Sequence, residues 1–379
     1  MKLVVQVKLL PDVATEAALR ETLQLCNQAA DHVSRRAHQS NVKTKAALQR
    51  LVYREVKGMG LSAQPAIHCV RKVAEAYAAS ADEPSTARHG RRPPRPLRAP
   101  VRFRKDAAQP FDDRCLSWRL DACTVSIWTV RGRMKNIRFA CSTEQLSLLR
   151  HHRRGESDLV WRNDSFYLYA TCEVPEADEY RPDGFLGVDL GIANIATASD
   201  GHRHSGRQLN QTRHRNRRLR SKLQKKGTKS AKRLLRKLSS REARFAADTN
   251  HRISAHVVTE AQRTSRGIAL EDLTGIRERV RLRKPQRVTL HSWSYAQLGS
   301  FIAYKAKRAG VPVVYVDPRH TSQGCSACGH VDKRNRPSQA AFRCTSCGFA
   351  EHADVNAARN IAARGAASWA VSHAADDAD

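Results

Sequence analysis

The sequence predicts an α/β domain with an inserted zinc ribbon in the C-terminal half, preceded by an antiparallel β unit that helices interrupt. Three observations support this. Strand and helix patterns alternate after residue 184, two paired-cysteine motifs lie near the C-terminus, and apolar and polar residues alternate over residues 111–173. The 379 residues, 41% of them apolar, are enough for two or three domains with buried cores.

The charge balance is the main compositional clue to function. The 67 Lys and Arg outnumber the 36 Asp and Glu, which gives a formal net charge of +31. Such self-repulsion is most easily tolerated when a polyanion neutralises it, so nucleic acid is the leading partner. No apolar run of about 18 residues is present, and the N-terminus does not resemble a signal peptide. We therefore expect a soluble cytoplasmic protein with no membrane partner.

The N-terminal half predicts a β unit with a helical insertion. Residues 4–9 have a strand pattern, and apolar residues recur at helical spacing over 14–30, 43–56 and 66–79. We expect residues 1–12 and 111–180 to form the β unit and residues 13–80 to form the helical insertion. Residues 81–110, rich in Pro and Arg, predict a basic linker.

The C-terminal half alternates strands and helices. Buried-strand patterns occupy residues 185–189, 267–270 and 311–317, and an amphipathic helix is expected over 293–309. Between residues 203 and 244, leucines four apart on either side of Gly227 predict two helices joined at that glycine. The Ala-rich residues 366–379 end in acidic positions and are expected to lack regular structure.

The predicted helical hairpin is unusually basic. Residues 203–244 contain seventeen Lys and Arg but a single acid, Glu242. A charge run is usually a solvated helix face, but these cations have almost no internal partners and would repel one another without an anion. We expect phosphate contacts that supply affinity rather than sequence reading. The predicted nucleic-acid-binding residues are Arg213, Arg215, Arg217, Arg218, Arg220, Lys222, Lys225, Lys226, Lys229, Lys232, Arg233, Arg236 and Lys237.

Two paired-cysteine motifs form the strongest local signal. Within each pair, two residues separate the cysteines, and this spacing lets both thiolates reach one ion. A glycine follows each pair and relieves the turn. Disulfides or buried thiols would not explain the pairing, and four sulfur ligands would fill the coordination shell, so the metal is structural. The predicted Zn²⁺ ligands are Cys325, Cys328, Cys344 and Cys347. The other six cysteines, scattered singly, fit buried thiols in a reducing compartment.

Three acids stand at predicted element ends: Asp189, Glu271 and Asp354. Carboxylate oxygens suit hard cations such as Mg²⁺, and phosphodiester hydrolysis uses two such ions about 3.5 to 4 Å apart. Each acid also has a plain alternative, as a turn residue, a solvated strand end or a helix N-cap. Asp354 shares a helical face with Ala358 and Ile361, so it should face the element on which that helix packs.

Four ordered motifs resemble the TnpB family, the OrfB-type transposon proteins related to type V CRISPR effectors. They are Gly187-Val-Asp-Leu-Gly191, Leu270-Glu-Asp-Leu273, Thr321-Ser-Gln-Xaa-Cys-Ser-Xaa-Cys-Gly329 and Asp354-Xaa-Asn-Ala-Ala-Xaa-Asn-Ile361. The resemblance covers about residues 185–363 and includes the basic hairpin. Residues 1–180 match the family by order and composition only, without a sharp motif.

The resemblance implies an RNase H-like (RuvC-type) nuclease domain over residues 184–365, with the ribbon inserted at 320–352. Asp189, Glu271 and Asp354 would be its catalytic carboxylates and would bind Mg²⁺ or Mn²⁺. It also implies an N-terminal β-barrel whose helical insertion helps to bind a guide RNA and target DNA.

Three functional hypotheses follow. The first is an RNA-guided, metal-dependent DNA endonuclease of a mobile element. The second is a transposase that joins DNA strands, because the same fold and triad serve both chemistries. The third is a nucleic-acid-binding regulator without catalysis, held together by the ribbon and the hairpin.

Overall fold

The structure is a computed structural model that describes residues 1–82, 99–273 and 295–374. The chain divides into two compact units, Met1–Pro175 and Glu176–Asp379. Most of the predicted basic linker, residues 83–98, lies outside the described residues. Within the described ranges, no helix is both long and apolar enough to cross a membrane.

The first unit is built on a seven-stranded antiparallel sheet in the order β2-β6-β7-β1-β5-β4-β3. Its strands are β1 (Lys2–Leu10), β2 (Gln109–Phe111), β3 (Leu116–Arg119), β4 (Thr124–Thr129), β5 (Gly132–Ala140), β6 (Arg153–Arg162) and β7 (Ser165–Glu173). The N-terminal strand lies between β7 and β5, so it joins the later strands as expected. Among the described residues no pairing joins the edge strands β2 and β3, and closure into a barrel stays a prediction.

Along the chain, three helices lie between β1 and the other strands of this sheet. They are α1 (Val13–Gln39), α2 (Lys45–Gly58) and α3 (Ala63–Asp82), and α4 (Thr143–His152) follows β5. Asp12 begins α1 by accepting a hydrogen bond from the Thr15 amide at 2.7 Å. Val33, Val52 and Val70 lie in a buried apolar cluster shared by the first three helices. The helical insertion therefore has a core of its own, as the helical periodicity predicted.

The second unit contains a five-stranded mixed sheet in the order β10-β9-β8-β11-β12. Its strands are β8 (Phe185–Asp189), β9 (Asn194–Ala198), β10 (Arg203–Ser205), β11 (Gly267–Glu271) and β12 (Val313–Val316). The first three are antiparallel, whereas β8, β11 and β12 are parallel. The helices are α5 (Arg207–Lys226), α6 (Lys229–Arg263), α7 (Tyr295–Ala309) and α8 (Ala353–His373), and β13 (Ala341–Arg343) pairs with β14 (Ala350–His352).

Helices cover both faces of this sheet, and the two-residue period of each strand sorts side chains between them. Leu186 and Val188 belong to an apolar cluster that includes α6 and α7 residues. Phe185 instead packs with Ile361 of α8. Between them, a methyl group at Gly187 would overlap the Ala358 carbonyl oxygen. Glycine at this position therefore allows α8 to lie directly on β8.

The basic hairpin has the predicted form. Helix α5 ends at Gly227, which has a positive φ of 63°, and the Thr228 side chain caps the start of α6. Leu223 and Ala231 are buried near the turn. Glu242, the only acid of residues 203–244, accepts a hydrogen bond from Asn216 and forms an ion pair with Arg220 across the hairpin. Leu223 is thus buried between the helices near the turn, whereas Leu219 and Leu234 are exposed, and most of the cations lie on the outside.

The expectation that residues 366–379 lack regular structure is wrong for their first part. Helix α8 continues to His373, and the Trp369 ring packs against Phe185 with ring centroids 5.9 Å apart. His373 stacks on the same indole. An alanine-rich segment has a high helix propensity, and one aromatic anchor is enough to bind its last turns to the sheet. Residues 375–379 lie outside the described residues.

Candidate functional site

Asp189 and Glu271 end two adjacent parallel strands. Leu270 of β11 pairs with Val188 of β8, and each acid is the next residue of its strand. Because side chains alternate along a strand, Asp189 follows Gly187 to the face covered by α8. Glu271 follows Ala269, which lies in the cluster with Ile361, to the same face. The pairing register therefore brings the two carboxylates side by side at one edge of the sheet.

Asp354 lies in the first turn of α8, the helix that covers this face. The residue is only 8% exposed, in agreement with the helical face that the sequence assigns to it. Asn194 donates a hydrogen bond to Oδ2 at 3.0 Å, and Arg336 donates one to Oδ1 at 3.1 Å. The N-cap of α8 is His352, whose ring accepts from the Asp354 amide, so the N-cap alternative for Asp354 is wrong.

The other two acids act on Asp189. Burial and the Glu271 and Asp354 carboxylates together raise the pKa of Asp189 to about 7, against the opposing charge of Arg336. Burial also raises the pKa of Glu271, although the Thr321 hydroxyl donates to its Oε1 at 2.6 Å. The site therefore concentrates negative charge where water screens it poorly, which is an unfavourable arrangement for a protein without a cation.

The three carboxylates stand further apart than the ligands of a single small ion. Within the described residues, only the four cysteines and a group of three histidines bring at least three potential ligand atoms within 4.8 Å of one another. Two ions separated by about 3.5 to 4 Å would need donors spread over a wider space.

Tyr295 and Arg213 extend the site towards the hairpin. Burial raises the pKa of Tyr295 to about 12, and the Asp189 carboxylate contributes to the shift. The phenol at the start of α7 is therefore close to the acids. Arg213 of α5 is partly buried, which lowers its pKa, and it interacts electrostatically with both Tyr295 and Glu242. Arg213, a predicted phosphate-binding residue, thus lies near Tyr295, which in turn lies near Asp189 and Glu271.

The four predicted zinc ligands converge into one metal-binding cluster. The Sγ atoms of Cys325 and Cys347 are 3.7 Å apart, and those of Cys328 and Cys344 are 3.6 Å apart. A tetrahedral ion with Zn–S bonds of about 2.3 Å requires sulfur atoms about 3.8 Å apart, whereas a disulfide requires about 2.05 Å. The spacing therefore fits a structural metal such as zinc.

The two knuckles have matching backbone geometry. The Gly329 amide donates to the Cys325 carbonyl at 2.8 Å, and the Gly348 amide donates to the Cys344 carbonyl at 3.1 Å. Both glycines have positive φ, 76° and 78°, a conformation that side chains disfavour. The glycine after each pair is therefore required by the turn, as the sequence pattern predicted.

The ribbon also supplies partners to the acids. Arg336, between the two cysteine pairs, reaches Asp354, and Thr321, just before the first pair, reaches Glu271. Asn360 of α8 donates to the Thr321 and Gly324 carbonyls at 2.9 and 2.8 Å and fixes the ribbon on the helix. The sequence did not assign roles to Asn194, Thr321 or Arg336, because nothing local distinguishes them from other polar residues. The sequence showed only that Thr321 begins the motif that contains the first cysteine pair.

The predicted phosphate-binding cations lie along the outside of the hairpin. Eleven of the thirteen are exposed, and Arg213 and Arg220 are half-buried. Arg220 pairs with Glu242 at 3.1 Å. The exposed cations line both α5 and α6 and so form a continuous positive surface.

Two family models match the chain. The model described as probable transposase (OrfB_IS605) matches residues 169–274, and that described as Cas12f1-like, TNB domain matches residues 295–361. The first covers Asp189, Glu271 and the hairpin, and the second covers the four cysteines and Asp354. Together they span the elements that build the candidate site.

Curated relatives match over shorter segments. The CRISPR-associated endodeoxyribonuclease Cas12f1 of Sulfoacidibacillus thermotolerans is 44% identical over 129 residues, which are 34% of this chain and 29% of the relative. A TnpB-like protein of Methanocaldococcus jannaschii is 38% identical over 146 residues, 38% of this chain and 52% of the relative. The chain therefore spans about a third to a half of these relatives' length.

A solved structure extends the similarity to the fold of nearly the whole chain. A cryo-EM structure of a Cas12f1–sgRNA–target DNA complex superposes with a TM-score of 0.56 at 15% identity, covering 92% of this chain and 82% of that one. At this identity the likeness concerns the fold. With the two family models and the curated relatives, the conclusion is that the segments of this chain that they match are similar to TnpB (OrfB-type) proteins and to type V CRISPR effectors.

Proposed function

We propose that this protein is an RNA-guided, divalent-metal-dependent DNA endonuclease of a mobile genetic element. Its catalytic residues would be Asp189, Glu271 and Asp354. The observation that carries the proposal is the clustering of these acids around a buried position, where burial and the other two carboxylates raise the pKa of Asp189 to about 7. Strongly shifted pKa values of this kind are concentrated at functional sites.

The donor chemistry of the site fits hard divalent cations. Asp189 and Glu271 offer carboxylate oxygens from rigid strands, and Asp354 offers another from a helix that packs on them. Mg²⁺ or Mn²⁺ held there would activate water and neutralise charge on the reacting phosphate. Thr321 would orient Glu271, while Asn194 and Arg336 would orient Asp354. Arg336 also reduces the repulsion that Asp189 experiences.

The sheet supports the assignment of an RNase H-like domain. Three antiparallel strands lead into two parallel ones, and the acids stand at the ends of the two central strands β8 and β11. The helix that carries Asp354 covers them. Residues 1–175 would supply the nucleic-acid-binding half, with β1 and β2–β7 as a barrel-like unit and α1–α3 as the recognition insertion.

The partners are proposed from charge and from the similar structure. The net charge of +31 and the exposed hairpin cations favour a polyanion. The similar Cas12f1 structure contains a single guide RNA and target DNA. We infer that guide RNA selects the target by base pairing and that the protein reads a short flanking motif.

The test is plasmid cleavage by the protein purified with its co-expressed RNA. With Mg²⁺ and a plasmid that matches the RNA, the wild-type protein should cut, while Asp189→Ala and Glu271→Gln should lose at least about a thousandfold of the rate. Asp248→Asn is the matched control, because this acid is exposed on α6, where it pairs with Arg252. Equal cleavage by wild type and Asp189→Ala would reject the assignment.

A second candidate, DNA strand transfer, is favoured by the family model described as probable transposase. The same acids could position a DNA 3′ hydroxyl in place of water. Sequencing the products of the same reaction separates the two functions. Joined donor and target ends, dependent on Asp189, would favour transfer, whereas cut ends alone would favour the nuclease.

A further inference from the structure

Three histidines cluster at the base of the basic hairpin, away from the four cysteines and the three acids. His202 lies in the turn between β9 and β10, His204 lies in β10, and His256 lies on α6. Each ring can place a nitrogen so that the three nitrogens lie within 4.8 Å of one another. Neither the similarity to TnpB proteins nor the proposed cleavage chemistry accounts for this cluster.

The rings are in direct contact. The His202 and His256 rings are stacked with centroids 4.4 Å apart, and the His204 ring lies edge-on to both, at 4.7 and 5.0 Å. No hydrogen bond to any of the three rings is recorded in the part of the chain that the structure describes. Their nitrogens are therefore available to a common ligand.

The surrounding backbone holds the cluster in place. The Asp200 side chain accepts a hydrogen bond from the His202 amide at 3.0 Å, and the Ala198 amide donates to the His202 carbonyl at 2.8 Å. Gly201, with φ of 94°, makes this tight turn possible. On the other side, His256 stands between Ile253 and Val257, which are buried in the sheet core. Both sides of the cluster are thus rigid.

We propose that His202, His204 and His256 form a second metal site, which binds a borderline transition ion such as Zn²⁺. Imidazole nitrogen is a preferred ligand of such ions, and three histidines are a common ligand set for zinc. Bonds of about 2.0 to 2.1 Å in a tetrahedral site place nitrogens about 3.4 Å apart. To bind one ion, the two exposed rings, His202 and His256, would have to turn so that the three nitrogens approach that distance.

A cavity beside the rings leaves room for a fourth ligand. It has a volume of about 380 Å³ and is lined in part by His204, His256, Gln208 and Arg252. A water molecule or a small anion can occupy it and complete the tetrahedron.

The site would join the two ends of the hairpin. The chain between His204 and His256 contains all of α5 and most of α6, so an ion on all three rings would close that segment into a loop. Crosslinks across long segments restrict the unfolded chain and oppose local opening. The metal therefore acts as a clip that holds the basic surface at a fixed position on the edge of the sheet.

The test is zinc stoichiometry by equilibrium dialysis of the full chain against micromolar Zn²⁺, with bound metal measured by atomic emission. We expect the wild type to bind one ion on the cysteines and one on the histidines, in addition to any Zn²⁺ on the three acids. His202→Ala and His256→Ala replace exposed rings and should fold normally, and each should bind one ion fewer than the wild type under the same conditions. The affinity of the second site should fall at least about tenfold in each.

His214→Ala is the matched control, because this histidine is exposed on α5 outside the cluster. It should keep both ions. Cys328→Ser should lose the other ion and keep the histidine-bound one, which assigns each ion to its site. If the two cluster variants bind as much zinc as the wild type and His214→Ala, the proposal is overturned. Added Zn²⁺ should also raise the Tm of the wild type more than that of His202→Ala, and equal shifts would contradict the clip.

Discussion

Replacing Asp189 with asparagine should stabilise the protein while it abolishes cleavage. The carboxylate is buried beside two others, and this raises its pKa from 3.8 to about 7. The pKa of this acid is higher in the folded protein than in the unfolded protein. At a pH below the unfolded pKa the acid has no effect on stability, and as the pH rises towards the folded pKa it destabilises the folded protein increasingly. Asparagine has nearly the same shape and no charge, so the variant avoids that cost.

The size of the effect follows from the pKa change. Each tenfold change in proton affinity is worth about 1.4 kcal/mol, so a pKa change from 3.8 to about 7 corresponds to about 4 kcal/mol at about pH 8. By the same relation the cost is about 2 kcal/mol at about pH 5. The buried carboxamide loses part of this gain because it still needs hydrogen-bond partners, and we expect about half to be measured.

Urea denaturation without added Mg²⁺ measures the difference directly. Asp189→Asn should be more stable than the wild type by about 2 kcal/mol at about pH 8, and the difference should shrink as the pH falls. Comparing two variants at each pH cancels the titration of groups that they share. The exposed Asp248→Asn should differ from the wild type by less than about 0.5 kcal/mol at every pH.

Added Mg²⁺ should reverse the order of stability of the wild type and Asp189→Asn. A cation that binds the folded site stabilises it by mass action, so added Mg²⁺ should raise the stability of the wild type and leave Asp189→Asn almost unchanged. The electrostatic argument is refuted if Asp189→Asn is no more stable than the wild type at about pH 8, or if the difference does not depend on pH.

Three further predictions concern packing, positioning and charge. Gly187→Ala should destabilise the protein by about 1 to 3 kcal/mol in urea denaturation, because its methyl group would overlap α8, whereas Gly184→Ala, with open space around it, should not. Arg336→Ala should lower the cleavage rate about tenfold or more without loss of ribbon zinc, because Asp354 loses its 3.1 Å contact; unchanged cleavage would show that Asn194 alone orients Asp354. Replacing the exposed hairpin residues Lys225, Lys226 and Lys229 with glutamine should reduce the slope of log affinity for duplex DNA against log salt by about 2 to 3, as measured by fluorescence anisotropy, and an unchanged slope would place phosphate elsewhere.

Local patterns were sufficient for the parts of the fold that depend on nearest neighbours. The spacing of Cys325, Cys328, Cys344 and Cys347 predicted a metal cluster, because two residues between ligands and a following glycine are a local geometric requirement. Gly227 marked the hairpin turn for the same reason, since it ends α5 with positive φ. The tail was the opposite case. Trp369 finds Phe185 far away in the chain, and no local pattern shows that contact.

The sequence by itself determined most of the element types, the hairpin, the ribbon ligands and three acids at element ends, because periodicity, turn residues and ligand spacing act over a few positions. Only the tertiary structure decided that Asp189, Glu271 and Asp354 approach one another, since that requires the pairing of β8 with β11 and the packing of α8 against Gly187. It alone also placed Arg336 beside Asp354 and gathered His202, His204 and His256. Such contacts join residues far apart in the chain, and their energies depend on burial and distance, which exist only after folding.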